Sequence, residues 1–232
     1  MNIIQMKNIY KEYRGENGIV TALEDVSLEI VQGELVAITG ISGSGKSTLL
    51  NIIGGLDRPT RGELYYNRHN VKDYPNLAQY RSENIGFVVQ DCKLLPLLTV
   101  EENICLPLRL NGQMVSKKEL DGVIKKMDLE EQRRRLGKQL TFAEQQRTAI
   151  ARAIICKPKV LLADEPTGNL DPENRDKIIG LLRQMNGEGQ TIVIATDKEY
   201  IVKQCDRRID VVNGRVVKDR TEFLIQNSAF GS

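Results

Sequence analysis

The 232-residue chain carries 33 Lys and Arg against 31 Asp and Glu, a near-cancellation that gives no electrostatic case for nucleic acid as its main partner. A hydrophobic content of 41% supports a core of one large domain or a core with one subdomain, while four cysteines without a close pair argue against a disulfide framework or a zinc site. The start, Met1-Asn2-Ile3-Ile4-Gln5, is not a signal peptide, and no apolar run is long enough to span a bilayer, so any membrane spans would come from another chain.

Polar and apolar residues alternate through Ile3, Met6 and Ile9 and again from Val20 to Ile30, which predicts half-exposed strands. The apolar run Leu35-Val36-Ala37-Ile38 then leads into Gly40-Ile41-Ser42-Gly43-Ser44-Gly45-Lys46-Ser47-Thr48 and a helix-like Leu49-Leu50-Asn51-Ile52-Ile53. Strand, glycine-rich turn and helix in that order form a phosphate-binding loop. Glycines let several backbone N–H groups turn towards one anion, and the helix adds the positive end of its dipole. Lys46 can reach the terminal phosphates, and the Ser47 hydroxyl can ligate Mg²⁺.

A turn cluster at 57–62 leads into a short strand at 63–66, and Gly86-Phe87-Val88-Val89 is a further buried strand. From Asp91 to Lys157 the chain reads as mostly helical, with breaks expected at Pro96, Pro107 and Gly112. Ser116 with Glu119 predicts a capping box opening a helix to Met127; Thr141 with Glu144 predicts another, opening a helix over 145–155. Val160-Leu161-Leu162-Ala163 returns to a buried strand that ends in two acids, Asp164 and Glu165. Asp164 is placed to hold Mg²⁺, and Glu165 to orient and deprotonate a water attacking the terminal phosphate. A helix from Pro172, an apolar strand at 191–195, a hairpin turning at Asn213-Gly214 and a frayed tail at 226–232 complete the reading. The fold class is α/β, with a helical insertion splitting the core in sequence.

Taken together, these segments resemble the ATP-binding-cassette (ABC) ATPases over nearly the whole chain. The resemblance implies a P-loop NTPase core with an antiparallel β subdomain and an inserted helical subdomain. It divides the single domain into a core of 1–90 and 158–225, a helical subdomain of 91–157, and the tail. It implies ATP and Mg²⁺ as ligands. Tyr13 lies where the family stacks an aromatic on adenine, although it could instead be a half-buried strand tyrosine. Gln90, after Phe87-Val88-Val89, lies where a glutamine senses Mg²⁺ and couples to the transporter. Glu144-Gln145-Gln146-Arg147 sits in the signature segment, and Asp171 ends the loop through which two subunits communicate, where it could also cap the next helix.

The implied site comprises Lys46, Gln90 and Glu165 as catalytic groups, and Ser47, Gln90 and Asp164 around the metal. Nucleotide contacts fall to Tyr13, Gly40, Ser42, Gly43, Ser44, Gly45, Lys46, Ser47, Thr48, Thr141, Asp171 and Asp197. The wording Pro166-Thr167-Gly168-Asn169-Leu170-Asp171, with Leu56-Asp57-Arg58-Pro59-Thr60-Arg61-Gly62-Glu63, is similar to the branch of lipoprotein release, macrolide export, cell-division signalling and antimicrobial-peptide resistance. The implied partners are a membrane-embedded permease and a second ATPase subunit, a homodimer being preferred to a heterodimer. The implied location is peripheral, on the cytoplasmic face of the membrane. Leu94-Leu95-Pro96-Leu97-Leu98, near Gln90, is either part of the docking surface or core packing.

Two positions depart from the family pattern. The signature, usually Leu-Ser-Gly-Gly-Gln, is here Leu140-Thr141-Phe142-Ala143-Glu144. Thr141 keeps the hydroxyl and the helix cap, but a left-handed backbone at Phe142 would cost about 1–2 kcal/mol. After Ile194-Ala195-Thr196 the family places a histidine on the terminal phosphate; this chain has Asp197, and its one histidine, His69, reads as a surface turn. The expectation is tight Mg-ATP binding with hydrolysis slower than in a family member carrying both features. The rival reading is a regulatory subunit that signals by ATP occupancy to a membrane partner. A soluble ABC ATPase of repair or translation lacks support, since the chain has neither a long coiled coil nor a second such domain. A GTPase lacks an Asn-Lys-x-Asp base reader.

Overall fold

The alternating N-terminal segments pair with each other as an antiparallel hairpin, β1 (Asn2–Gly15) with β2 (Gly18–Val31), each burying one face. Strands β4 (Arg61–Tyr66) and β5 (His69–Asn70) extend it into a four-stranded antiparallel sheet in the order β2-β1-β4-β5. His69 is exposed on the edge strand, as its polar surroundings suggested. This computed structural model describes residues 1–15 and 18–221. The tail at 226–232 lies outside them.

The continuous apolar runs form a second sheet. Its strands are β3 (Leu35–Thr39), β6 (Ile85–Val88), β7 (Val160–Asp164), β8 (Thr191–Thr196), β9 (Arg207–Val212) and β10 (Arg215–Thr221), in the order β10-β9-β3-β8-β7-β6. All neighbours are parallel except β9 and β10. Those two are joined by the expected Asn213-Gly214 turn, both residues having positive φ (48° and 75°). A parallel sheet is covered on both sides, which is why its central strands carry unbroken apolar runs, Leu35–Ile38 in β3, Val160–Ala163 in β7 and Ile192–Ala195 in β8. Leu35 and Ala37 of β3 face one core, while Val36 and Ile38 face the other; β7 and β8 divide in the same way. The second of these cores lies between the two sheets and encloses Leu49, Leu50, Ile52 and Ile53 of α1 (Lys46–Ile53).

The first core continues into the helices that fall between β6 and β7, α3 (Val100–Leu110), α4 (Lys117–Lys126) and α5 (Phe142–Ile154), and into α6 (Pro172–Gly187). Both expected capping boxes are present, at Ser116 with Glu119 and at Thr141 with Glu144, and a third joins Thr99 to Glu102. The reading missed α2 (Leu77–Asn84), whose cap is Asn76 accepting from the Gln79 N–H at 2.9 Å. α7 (Glu199–Val202) is a single turn after β8. Pro107 does not break its helix: α3 runs through it to Leu110. The missing N–H falls in the last turn, after the capping box and buried Val100, Ile104 and Cys105 have fixed the helix. Gly112, with φ of 67°, does provide the expected break.

Candidate active site

The carboxyl ends of three adjacent parallel strands meet in one place. Parallel register aligns Thr39 of β3 with Thr196 of β8, and Asp164 of β7 with Ala195. The phosphate loop leaves β3, Glu165 follows β7, and Asp197 follows β8. Ligand crevices in α/β sheets form at such strand ends. Here the crevice is a cavity of about 420 Å³, bringing together Ser42, Gly43, Gly45, Lys46, Ser47, Thr48, Gln90, Asp164, Glu165 and Asp197.

Steric constraints require two of the loop's glycines. A Cβ on Gly40 would sit 2.2 Å from the Val211 carbonyl oxygen, and one on Gly45 would sit 2.7 Å from that of Ala22. Gly45 also has φ of 108°, and as N-cap of α1 it supplies no side-chain cap. The first-turn N–H groups of α1 therefore remain available to an anion. Ser44 is buried, and its hydroxyl has no hydrogen-bond partner in the protein. Lys46 is buried too, and its ammonium donates to the carbonyl oxygens of Gly40 (2.7 Å) and Ile41 (3.1 Å). An uncapped helix end, an orphaned hydroxyl and a lysine on the same loop suit a phosphate.

The acidic side is equally organised. The Ser47 hydroxyl and the Asp164 carboxylate line the same cavity. Burial pushes the Asp164 pKa up, with Ser47 and Lys46 pulling it partly back. Glu165 has a left-handed backbone, φ 44°, which is uncommon for a non-glycine residue and is often found at functional sites. Its carboxylate accepts from the Thr196 hydroxyl at 3.0 Å and from the Asp197 N–H at 3.1 Å. Burial raises its pKa as well, which suits a group that must take a proton. Two hard oxygen donors, Ser47 and Asp164, line the cavity together with Gln90. Mg²⁺ favours such a set, completing its shell with water and phosphate oxygens.

The chain belongs to the ABC transporter family. The ABC transporter family model matches residues 23–168, more than half of the sequence. An uncharacterized ABC transporter ATP-binding protein, MJ0796 of Methanocaldococcus jannaschii, is 42% identical over 227 residues, covering 94% of this chain and 96% of that protein. The lipoprotein-releasing system ATP-binding protein LolD 1 of Chlorobium chlorochromatii is 40% identical, covering 98% and 96% respectively. A dimeric structure of MJ0796 in a post-hydrolysis state, bound to ADP and Pi, superimposes with a TM-score of 0.87 at 39% identity, over 94% of this chain and 98% of that one. This ABC cassette is an ATP-binding subunit and an ATPase of the family, and these likenesses favour turnover over the occupancy-only alternative.

Not every expected contact residue lies in the cavity of this ABC subunit. Tyr13 is outside the lining but beside it. It pairs with Val20, a lining residue; its hydroxyl donates to Asp57 at 2.8 Å; and Lys11 sits 4.8 Å over its ring. Asp171 is exposed and caps α6 through the Asn174 N–H at 3.0 Å. Thr141 lies at the start of α5, apart from the phosphate loop. Its side chain accepts from the Glu144 N–H, while the Glu144 carboxylate accepts from the Thr141 N–H. Phe142 is the first residue of α5, has no positive φ, and packs on the helical core, so the feared left-handed strain is absent. The sequence reading missed lining residues Val20, Thr21, Ala22, Gly168 and Lys198. Lys198 had a visible signal, a cation next to Asp197 just past a buried strand.

Of the leucines near Gln90, Leu94 packs on the helical core, whereas Leu95 and Leu97 are exposed (44% and 72%). Buried Asn103 holds their loop, bonding the Leu95 N–H through its carbonyl and donating to the carbonyls of Leu95, Leu98 and Thr99. A second concavity, of about 380 Å³, runs between Leu56, Arg81 and Phe87 on one side and Leu106, Pro107 and Leu110 on the other.

Proposed function

We propose that this chain closes with a second copy of itself over two Mg-ATP molecules, and that closure and reopening drive a membrane-embedded permease. The convergence of Lys46, Ser47, Gln90, Asp164 and Glu165 on one cavity carries this reading. On ATP binding, Lys46 exchanges the loop carbonyls for the terminal phosphates, joined by the loop N–H groups from 40–48 and the α1 dipole. Mg²⁺, held by Ser47, Asp164 and Gln90, would neutralise charge on the phosphates. Glu165, fixed on the end of β8, orients a water in line and takes its proton. Tyr13 packs on the adenine at the rim.

In this reading, residues 1–90 and 158–225 are the nucleotide-binding core, and 91–157 form the subdomain that delivers Thr141 across the dimer to the partner's phosphate. Asp171 serves both the α6 cap and the subunit contact. Exposed Leu95 and Leu97, and the concavity between Phe87 and Leu106, face the permease. Among the described residues no helix is long and apolar enough to cross a membrane; in this reading the permease supplies the spans and this subunit sits on the cytoplasmic face. The LolD relative, an ATP-binding protein of a lipoprotein-releasing system, points to the lipoprotein-release branch and away from nucleic acid.

Purified protein tests the site. Lys46→Ala removes measurable Mg-ATP binding. Glu165→Gln retains binding and arrests a dimer with ATP in place. Unchanged Mg-ATP affinity in Lys46→Ala would sink the reading. Isolation of the native complex from membranes identifies the permease.

A further inference from the structure

The Asp197 substitution poses an electrostatic problem that its neighbour resolves. The charged side chains lining the cavity are Lys46 and Lys198 against Asp164, Glu165 and Asp197, a net charge of minus one before any nucleotide enters. ATP adds several more negative charges. An additional carboxylate where the terminal phosphate must lie would oppose binding unless a cation accompanies it. Lys198 lines the same cavity, and its ammonium stands 2.9 Å from the Asp197 carboxylate.

The position of this pair is fixed through the backbone. The Asp197 N–H donates to Glu165, the Lys198 N–H donates to the Thr196 hydroxyl at 3.1 Å, and that hydroxyl donates to Glu165. The general base and the Asp197-Lys198 step therefore share one hydrogen-bonded corner at the end of β8. Besides Asp197, the Glu165 carboxylate in the same corner also attracts the ammonium. Glu199, the next carboxylate along the chain, is held by Arg208 at 3.0 Å. The Lys198 side chain is 43% exposed, so it is free to change partner. A flexible four-carbon stem with a point charge suits such an exchange.

We propose that Lys198 contacts the terminal phosphate of ATP held by its own subunit, with Asp197 holding the ammonium when no such phosphate is present. This rests on the ATPase reading of the cavity and adds a residue that distinguishes ATP from ADP. The phosphate carries more charge than the carboxylate, so on binding the ammonium moves to bridge the phosphate and Asp197, and it rests on Asp197 alone when phosphate departs. Asp197 is thereby kept neutralised in the open site and is left near the phosphate only while Lys198 bridges them.

Equilibrium titration of purified wild type, Lys198→Met and Lys198→Arg with Mg-ATP and Mg-ADP tests the assignment. Lys198→Met should weaken ATP about tenfold, the loss of one charge-assisted contact, and leave ADP within about twofold. Lys198→Arg should keep most of the ATP preference. Equal weakening of both nucleotides, or weakening of neither, overturns the proposal.

A labelling measurement independent of turnover uses an ATP analogue with an acyl group as a mixed anhydride on the terminal phosphate. Attack by a lysine amine forms an amide, loses the amine proton and expels ATP. The proposal expects the acyl group on Lys198, reduced by competing ATP; a label confined to Lys46 overturns it. The ATPase reading fails separately, by wild type binding neither nucleotide or by Lys46→Ala binding both normally.

Discussion

Two helix N-termini in this molecule face opposite demands. α1 opens at Gly45, in a left-handed conformation and without a side-chain cap, on a loop whose buried Ser44 hydroxyl has no protein partner. α5 opens at Thr141 with a complete capping box, one of its first-turn donors, the Glu144 N–H, already satisfied by Thr141 and its dipole already met by the Glu144 carboxylate. The first end leaves its donors for a phosphate; the second has spent part of the same resource on its own stability. The contrast explains how Phe142 can stand where the family has glycine. N1 of a capped helix needs only right-handed angles, and the ring gains a place on the helical core.

The largest effect should come from removing the glycine that leaves α1 open. Gly45→Ala places a methyl 2.7 Å from the Ala22 carbonyl oxygen at φ 108°, so Mg-ATP binding by equilibrium titration should be lost. A bound state of normal affinity would mean that this end is not pre-shaped for phosphate. Next, Glu165→Gln should slow turnover by about 10²–10⁴-fold without loss of ATP affinity. Because burial raises the Glu165 pKa, the wild-type rate should fall on acidification at a pH above that expected of a free glutamate.

At the other helix end, Thr141→Ala should cost about 1 kcal/mol of stability in denaturant unfolding and leave ATP affinity of the single subunit unchanged. A change in that affinity would show that the two ends are not separate within one chain.

The smallest effect concerns Asp164. Burial raises its pKa in the folded state, so folding favours the protonated form. The stabilisation is complete below the unfolded pKa and is lost as pH rises through the folded one. Asp164→Asn should therefore melt slightly higher than wild type at neutral pH without nucleotide, and the difference should close in acid. A gap that widened in acid would reverse the sign of the burial effect.

One further support of the phosphate loop is non-local. The Gly214 N–H donates to the Ser44 carbonyl and the Glu24 N–H donates to the Gly214 carbonyl, both at 2.8 Å. A Cβ on Gly214 would lie 2.7 Å from the Ala22 carbonyl oxygen. The sequence identifies Asn213-Gly214 as a hairpin turn; only the packing makes that turn a brace between β2 and the loop.

The same division holds throughout the chain. Local patterns determined the sheet strands, the caps at Ser116, Thr141 and Asp171, the phosphate loop, and the acids at 164 and 165, because each depends on neighbours within a few residues and on a short-range steric or hydrogen-bonding rule. Tertiary structure alone decided that Pro107 stays helical, that Leu95 and Leu97 are exposed while Leu94 is not, that Phe142 is unstrained, and that Lys198 shares the cavity with Lys46. Those outcomes depend on which distant surfaces remove water and which charges converge, and chain order does not specify either.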